Sequence, residues 1–362
     1  MTSLAPAKQS NNVGTWDSFF HYYGMIVHQQ NMLHDRVRTG TYKTAFDQNK
    51  IDFKDKVVVD VGTGTGILAL FAAQAGAKTV YAIEASAIAE NAKELVKANG
   101  YEEVVKVIQG KVEDVNLPEK VDIIISEPMG FLLVHERMLE VFVHARAKWL
   151  KPEGKMFPTT GTIYICPFSD NEIFEEQSLS TSFWDQTNFY GVNLTKAKQK
   201  AFDEAFAQPI VGYFSPTMLI SNKHVTHVID FSTVSEKDGF EKIKIPFSFV
   251  ADKTSIIHGM ACWFDVKFFG SQAVVCLSTS PFSPDTHWYQ CRLLLQKPIA
   301  INETQTVSGE MILTANEYSS YYVDLEMKLN GTNIKSKNSI HLHNQLYHYM
   351  SNYKSAYNQG VL

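Results

Sequence analysis

From Lys56 onward the chain alternates short apolar runs with amphipathic ones. Lys56–Asp60 (KVVVD) predicts a strand that ends in an acid, and Gly66–Ala75 a helix closed by Gly76. Thr79–Glu84 (TVYAIE) predicts a second strand and Ile88–Asn99 a helix closed by Gly100, with further strands at Val104–Gln109 and Val121–Ser126 (VDIIIS). Apolar strands alternating with helices imply a parallel sheet covered on both faces. The texture changes near residue 157. After it, eight strand-like stretches follow without intervening helices: 161–166, 224–231, 243–250, 259–269, 273–278, 287–296, 306–315 and 322–329. They are separated by turn signals such as Ser283-Pro-Asp and Asn330-Gly. This predicts a mostly antiparallel barrel or sandwich. One helical stretch at 171–206, carrying Phe183, Trp184, Phe189 and Tyr190, interrupts it. That stretch reads either as an apolar arm for a partner or as a helical pair packed on its own domain. The expected division is an N-terminal segment over 1–40, an α/β domain over 41–156, a β domain over 157–345 and a loose tail over 346–362.

Composition narrows the class. With 362 residues, 45% hydrophobic and 20% charged, the chain has globular values and excludes whole-chain disorder. A net charge of −5 disfavours blanket binding to phosphate backbones and suits a cationic peptide, so no direct nucleic-acid partner is expected. No membrane partner is expected either, because no apolar run reaches the ~18 residues of a span. Cys166, Cys262, Cys276 and Cys291 show no C-x-x-C spacing, and no metal is expected.

Two segments carry candidate chemistry. Asp60-Val-Gly62-Thr-Gly64-Thr-Gly66 follows a strand and opens a helix, where glycines let the backbone approach a ligand. Its third glycine comes one residue earlier than the dinucleotide fingerprint requires. S-adenosylmethionine, a nicotinamide cofactor and a ligand-free turn all stay open on the loop alone. Glu84, eighteen residues past Gly66, ends the next strand and can accept two ribose hydroxyls. In the second segment, Glu127 caps an apolar strand and Glu136 lies nine residues on, past a Pro-Met-Gly turn. Two carboxylates sharing one dry pocket need a cation between them, and a guanidinium is planar and bidentate towards carboxylates. Spacing alone equally allows two acids that never meet.

At this segment the sequence resembles the protein arginine methyltransferases. Ser126 to Leu139 fits the family's paired-glutamate loop, Ser-Glu-x-Met-Gly-Tyr followed by Glu-x-Met-Leu. Pro128, Asn31 before Met32, His258-Gly-Met-Ala-Cys-Trp-Phe-Asp265 and Thr286-His-Trp-Tyr-Gln290 make it most similar to the coactivator-associated (CARM-type) members. The resemblance implies a class I methyltransferase (Rossmann-like) domain followed by a β-barrel domain with a helical dimerisation arm. It also implies S-adenosyl-L-methionine as cofactor, with S-adenosyl-L-homocysteine as its product. The implied reaction is arginine methylation, to monomethyl and asymmetric dimethyl products, on histone tails, RNA-binding and transcription proteins, in nucleus and cytoplasm. A head-to-tail homodimer through 171–206 is implied too. The alternative is a catalytically inactive homologue acting as a scaffold.

The resemblance also implies residue roles. Phe19, Phe20, Tyr23, Gln29, Met32 and Arg38 would cover and line the cofactor, Arg38 pairing with its carboxylate and Asp35 helping to orient it. Asp60, Gly62, Gly64, Gly66, Glu84, Val112, Glu113 and Met138 would complete that site, Glu113 accepting from the adenine amino group. Glu127, Glu136 and His287 would be catalytic. Tyr23, Met129 and Trp288 would join them in holding the substrate, Trp288 as a wall of the arginine channel. His287 could pair with Asp35 or relay the product proton, or it could be a packed core residue. Phe19, Phe131, His135 and Val141 depart from the family pattern.

Overall fold

The computed structural model describes residues 19–348 apart from Lys237. Residues 19–23 are helical and lead into α1 (Ile26–His34), α2 (Arg36–Gln48) and the single turn α3 (Lys50–Phe53). The α/β unit follows as β1 (Val57–Val61), α4 (Ile67–Gln74), β2 (Thr79–Glu84), α5 (Ala89–Ala98), β3 (Val105–Gln109), β4 (Val121–Ser126), α6 (Met138–Trp149) and β5 (Leu150–Phe157). Its five strands are parallel in the order β3-β2-β1-β4-β5. β1 is central and buried at every position, as its unbroken Val-Val-Val run requires. Register pairs Val61 with Ile83 on one side and with Ser126 on the other. The carboxyl ends of β1, β2 and β4 therefore share one edge, which sets the glycine loop, Glu84 and Glu127 side by side.

β5 departs from the expectation. No strand was expected at Lys151-Pro-Glu-Gly, yet it lies inside one that pairs with β4. β5 is the outer strand of its sheet, where a proline without an N–H is tolerated.

The β domain contains β6 (Thr160–Phe168), then α7 (Asn171–Ser180), α8 (Lys198–Phe206), β7 (Ile210–Gly212), β8 (Val225–Asp230), β9 (Lys242–Val250), β10 (Ser255–Phe269), β11 (Val274–Ser278), β12 (Gln290–Ile301), β13 (Thr306–Ala315), β14 (Tyr321–Leu329), β15 (Lys335–His341) and β16 (Leu346–Tyr347). One sheet runs β16-β7-β12-β10-β6-β8 with β11 on β10, and the second runs β15-β14-β13-β9. β14 is representative, with alternate residues buried from Tyr321 to Leu329. β15 escaped the sequence reading because two of its inward positions are polar, Ser336 and Asn338. Asn338 is satisfied there by donating to the carbonyls of Phe206 and Leu294. His287 falls in the loop before β12 rather than in the strand expected from it.

The stretch 171–206 packs on its own domain at its base and is exposed at its tip. At the base, Ile173 and Phe206 pack with Phe168, Ile210, Phe214 and Leu294. Asp170 accepts the Ile173 N–H as N-cap and pairs with buried Arg292 at 2.8 Å. At the tip, Tyr190 is 93% exposed, and Leu179, Phe183 and Val192 are also exposed. The tail expected from residue 346 begins instead with an ordered strand: Leu346 and Tyr347 pair in parallel with Ile210 and Val211. Residues 349–362 lie outside the described residues, as do 1–18 of the N-terminal segment. Among the described residues, no helix is long and apolar enough to cross a membrane.

Candidate active site

The glycine loop is shaped by three left-handed residues, Gly62 (φ +70°), Gly64 (φ +56°) and Gly66 (φ +84°). Side chains are disfavoured at such angles. A Cβ on Gly64 would also stand 2.6 Å from Gln29 Oε1, and one on Gly62 would touch Met138 Cε. The expected cofactor residues Gln29, Met138 and the loop thus meet around one backbone cradle. Gln29 is buried and donates to the Tyr23 carbonyl, tying α1 to the helical turn that holds Phe19 and Tyr23, whose rings lie 4.6 Å apart. Met32 sits half-buried one turn further along α1. Asp60 is fully buried, accepts the Thr63 hydroxyl at 2.5 Å, and is pushed up to about 7 by burial. Glu84 accepts the Gly64 N–H on one oxygen and the Ser86 N–H on the other, which fixes its carboxylate at the strand end. Val112 is buried and Glu113 exposed on the next loop; Lys111 Nζ lies 5.4 Å from the Phe20 ring centre, so that loop adjoins the N-terminal turn. Gln29, Glu84, Met138 and the glycine loop therefore gather at the carboxyl edge of the sheet, with the turn of Phe19, Phe20 and Tyr23 tied to it.

The two glutamates lie on a tightly folded loop. Leu132, Leu133, Glu136 and Arg137 all take positive φ, a costly conformation for residues with side chains. Tertiary contacts hold it. Gly130 donates to the Leu133 carbonyl, and a Cβ on Gly130 would overlap the His135 carbonyl, so glycine is required there. Trp288 Nε1 donates to the Met129 carbonyl at 2.9 Å. Trp288 is thus buried beneath the loop, packed against Phe264 and His287.

Glu127 and Glu136 are close enough for the charge of the first to act on the second. Glu136 is pushed up to about 7, chiefly by burial and further by the Glu127 charge, against the Tyr23 hydroxyl that donates to it at 2.9 Å. Tyr23 is itself raised well above its ordinary value by burial and by both glutamates. Glu127 Oε2 accepts from Arg38 Nε at 3.1 Å and from Arg38 Nη2 at 2.8 Å. Burial favours a neutral Arg38, yet Glu127 holds its guanidinium firmly protonated. Arg38, expected on a cofactor carboxylate, thus stands on the first glutamate with two of its nitrogens. Asp35 works in two directions. Its Oδ1 accepts the Arg38 N–H and caps α2, while its Oδ2 accepts from His287, at 2.9 Å from the backbone and 2.7 Å from ring Nδ1. Burial would raise Asp35, but the His287 and Arg38 hydrogen bonds hold it below the usual carboxylate range.

Sequence reasoning missed Tyr42. It is fully buried on α2 and donates to the Ser126 carbonyl at 2.8 Å, immediately before Glu127. Asp35, Arg38 and Tyr42 are spaced i, i+3, i+7, the repeat of one helix face, and that spacing was the available signal. His135 was set aside as a departure from pattern, although it is held at both ring nitrogens.

A five-stranded parallel sheet with a glycine cradle at its carboxyl edge, joined to a β domain that supplies a histidine, defines a class I methyltransferase architecture extended by a β domain. Comparison with known proteins is specific. Residues 58–154 match the methyltransferase domain model, and 159–334 match the arginine methyltransferase oligomerization subdomain. The chain is 33% identical to Arabidopsis thaliana protein arginine methyltransferase 10, with a TM-score of 0.78 over 89% of this chain and 99% of that one. A Trypanosoma brucei arginine methyltransferase, in an enzyme–prozyme heterotetrameric complex with AdoHcy, matches with 33% identity and a TM-score of 0.78 over 88% of this chain and 99% of that one. The chain belongs to the protein arginine methyltransferase family. It is also 50% identical over 331 residues, 91% of its length, to the histone-arginine methyltransferase CARMER of Drosophila willistoni, and it spans 62% of that relative.

Proposed function

We propose that this protein is an S-adenosylmethionine-dependent protein arginine N-methyltransferase, producing monomethyl and then asymmetric dimethylarginine, with histone tails among its substrates. The observation that carries the reading is the pair Glu127 and Glu136, held close enough on one loop for the first to raise the second. A substrate guanidinium entering between them would relieve that repulsion. Each carboxylate at ~4 Å contributes roughly 4 kcal/mol of attraction at an effective dielectric near 20. The cofactor supplies an electrophilic methyl group. The glutamates orient one guanidinium nitrogen towards it and hold positive charge on the other two, so alignment rather than deprotonation provides most of the acceleration. Tyr23 positions Glu136, and Arg38 holds Glu127 through two hydrogen bonds. Arg38 Nη1, which makes no hydrogen bond among the described residues, is the donor left for the cofactor carboxylate. His287, oriented by Asp35, takes up the proton after transfer.

The remaining elements of the reading follow the family. The flexible side chains of Met32 and Met138, rather than bulky aromatics, leave room for a second methyl on the same nitrogen. The exposed apolar tip at 179–192 supports a homodimer through the arm. The name of the Drosophila relative records histone-arginine methylation for that protein, which supports action in the nucleus alongside the cytoplasm. The test is mass spectrometry of an arginine-peptide library incubated with the protein and labelled cofactor. Asymmetric dimethylarginine is the expected product. No methyl transfer, with cofactor bound, would leave the inactive-scaffold reading in its place.

A further inference from the structure

The loop that carries both glutamates is also gripped from outside, through a residue to which no role has been assigned. His135 immediately precedes Glu136, whose backbone sits at φ +73°. Its ring Nδ1 lies 2.8 Å from Ser320 Oγ and its Nε2 3.1 Å from Gln345 Nε2. Both partners are themselves organised. Ser320 is fully buried in the turn before β14, where Asn316 Oδ1 accepts the N–H groups of Tyr318 and Ser320. Gln345 lies directly before β16, and β16 is fixed by pairing with β7. Gln345 Nε2 also donates to the Leu342 carbonyl, which settles the amide orientation: its nitrogen, not its oxygen, faces His135. His135 Nε2 is then an acceptor, so the ring proton rests on Nδ1 and is donated to Ser320. The Phe131 ring stacks on His135 at 5.9 Å, and Tyr347 meets Phe131 edge-on at 6.0 Å.

We propose that His135 is a positioning residue, and that Ser320 and the segment 342–347 use it to hold Glu136 in its unfavourable backbone conformation facing Glu127. The inference rests on the methyltransferase reading and adds residues to that same site. The end of the β domain and the first residues of the expected tail become part of the apparatus that shapes the substrate pocket. Glu136 is displaced unless the preceding residue is fixed, because a left-handed residue relaxes readily once its neighbours are free. His135 is kept neutral, pushed down to about 4 by burial and by nearby His343, so both hydrogen bonds persist across the working pH range.

The test uses the full chain and the variants His135→Ala, His135→Asn, Gln345→Ala and the double variant His135→Ala/Gln345→Ala. Removing one hydrogen bond of this kind corresponds to roughly tenfold in a positioning equilibrium. His135→Ala is expected to lower kcat/KM for an arginine peptide by about that factor or more, with S-adenosylhomocysteine affinity unchanged. Gln345→Ala should cost nearly as much, and the double variant no more than His135→Ala alone. His135→Asn retains an amide at the Nδ1 position and should recover most of the Ser320 bond and most of the activity. Nitrogen-15 NMR of the unmodified protein should show the Nδ1-protonated tautomer, a readout that needs no turnover. An Nε2-protonated ring, additive losses in the double variant, or equal loss of cofactor affinity would each overturn the inference. An unmodified protein that transfers no methyl group, yet shows the Nδ1 tautomer, would overturn the proposed function and leave the His135 contacts standing.

Discussion

Glu136→Gln should stabilise the fold while abolishing turnover. In the folded protein Glu136 titrates near 7, against 4.5 for an ordinary glutamate. The folded state therefore holds an extra proton between those values, and the stability associated with that proton is present below 4.5 and lost as pH rises through 7. Summed over the titration, the carboxylate costs the native state about 3 kcal/mol at pH 8 and about 1 kcal/mol at pH 5. Glutamine keeps an oxygen for the Tyr23 hydroxyl and removes the buried charge. For a chain of 362 residues the gain at pH 8 corresponds to a rise in Tm of ~4 °C, shrinking to ~1 °C at pH 5. Thermal unfolding of the unmodified protein and the variant at both pH values, with and without S-adenosylhomocysteine, checks this. A variant less stable than its parent at pH 8, or one stabilised equally at both pH values, would refute the claim that Glu136 carries a buried charge the fold disfavours.

Other outcomes are expected. The KM for an arginine peptide should rise as pH falls below about 7, approaching tenfold per pH unit, because the protonated Glu136 cannot grip a cation; steady-state kinetics at fixed saturating cofactor measure it. Gly64→Ala places a side chain at φ +56° against Gln29, and should weaken cofactor binding by at least tenfold in calorimetry while peptide affinity changes little. Tyr190→Asp together with Phe183→Asp puts charges on the exposed tip of the arm, and should give a monomer in analytical ultracentrifugation with much reduced turnover.

The α/β half was legible because its signals are local. The Val-Val-Val run of β1 and the acid-ended TVYAIE of β2 have nothing else to become, and those strands match to within a residue. β5 and β15 hid for opposite reasons: one contains a proline that only an edge strand tolerates, and the other buries Ser336 and Asn338, which are satisfied by backbone groups far away in the chain. The glutamate pair was legible as a motif. Its supports were less so, because Tyr42, Trp288, Ser320 and Gln345 act through hydrogen bonds to backbone or side chains between 84 and 210 residues away in the chain. Arg38 shows the same limit. Its sequence context points to a carboxylate, but which carboxylate depends on where α2 lies across the end of β4.

Asp35 closes the joint between α1 and α2 and at the same time grips the loop before β12. One carboxylate is thus shared by two distant segments: a substitution at Asp35 would loosen at once the start of α2, which carries Arg38 and Tyr42, and the loop that carries His287.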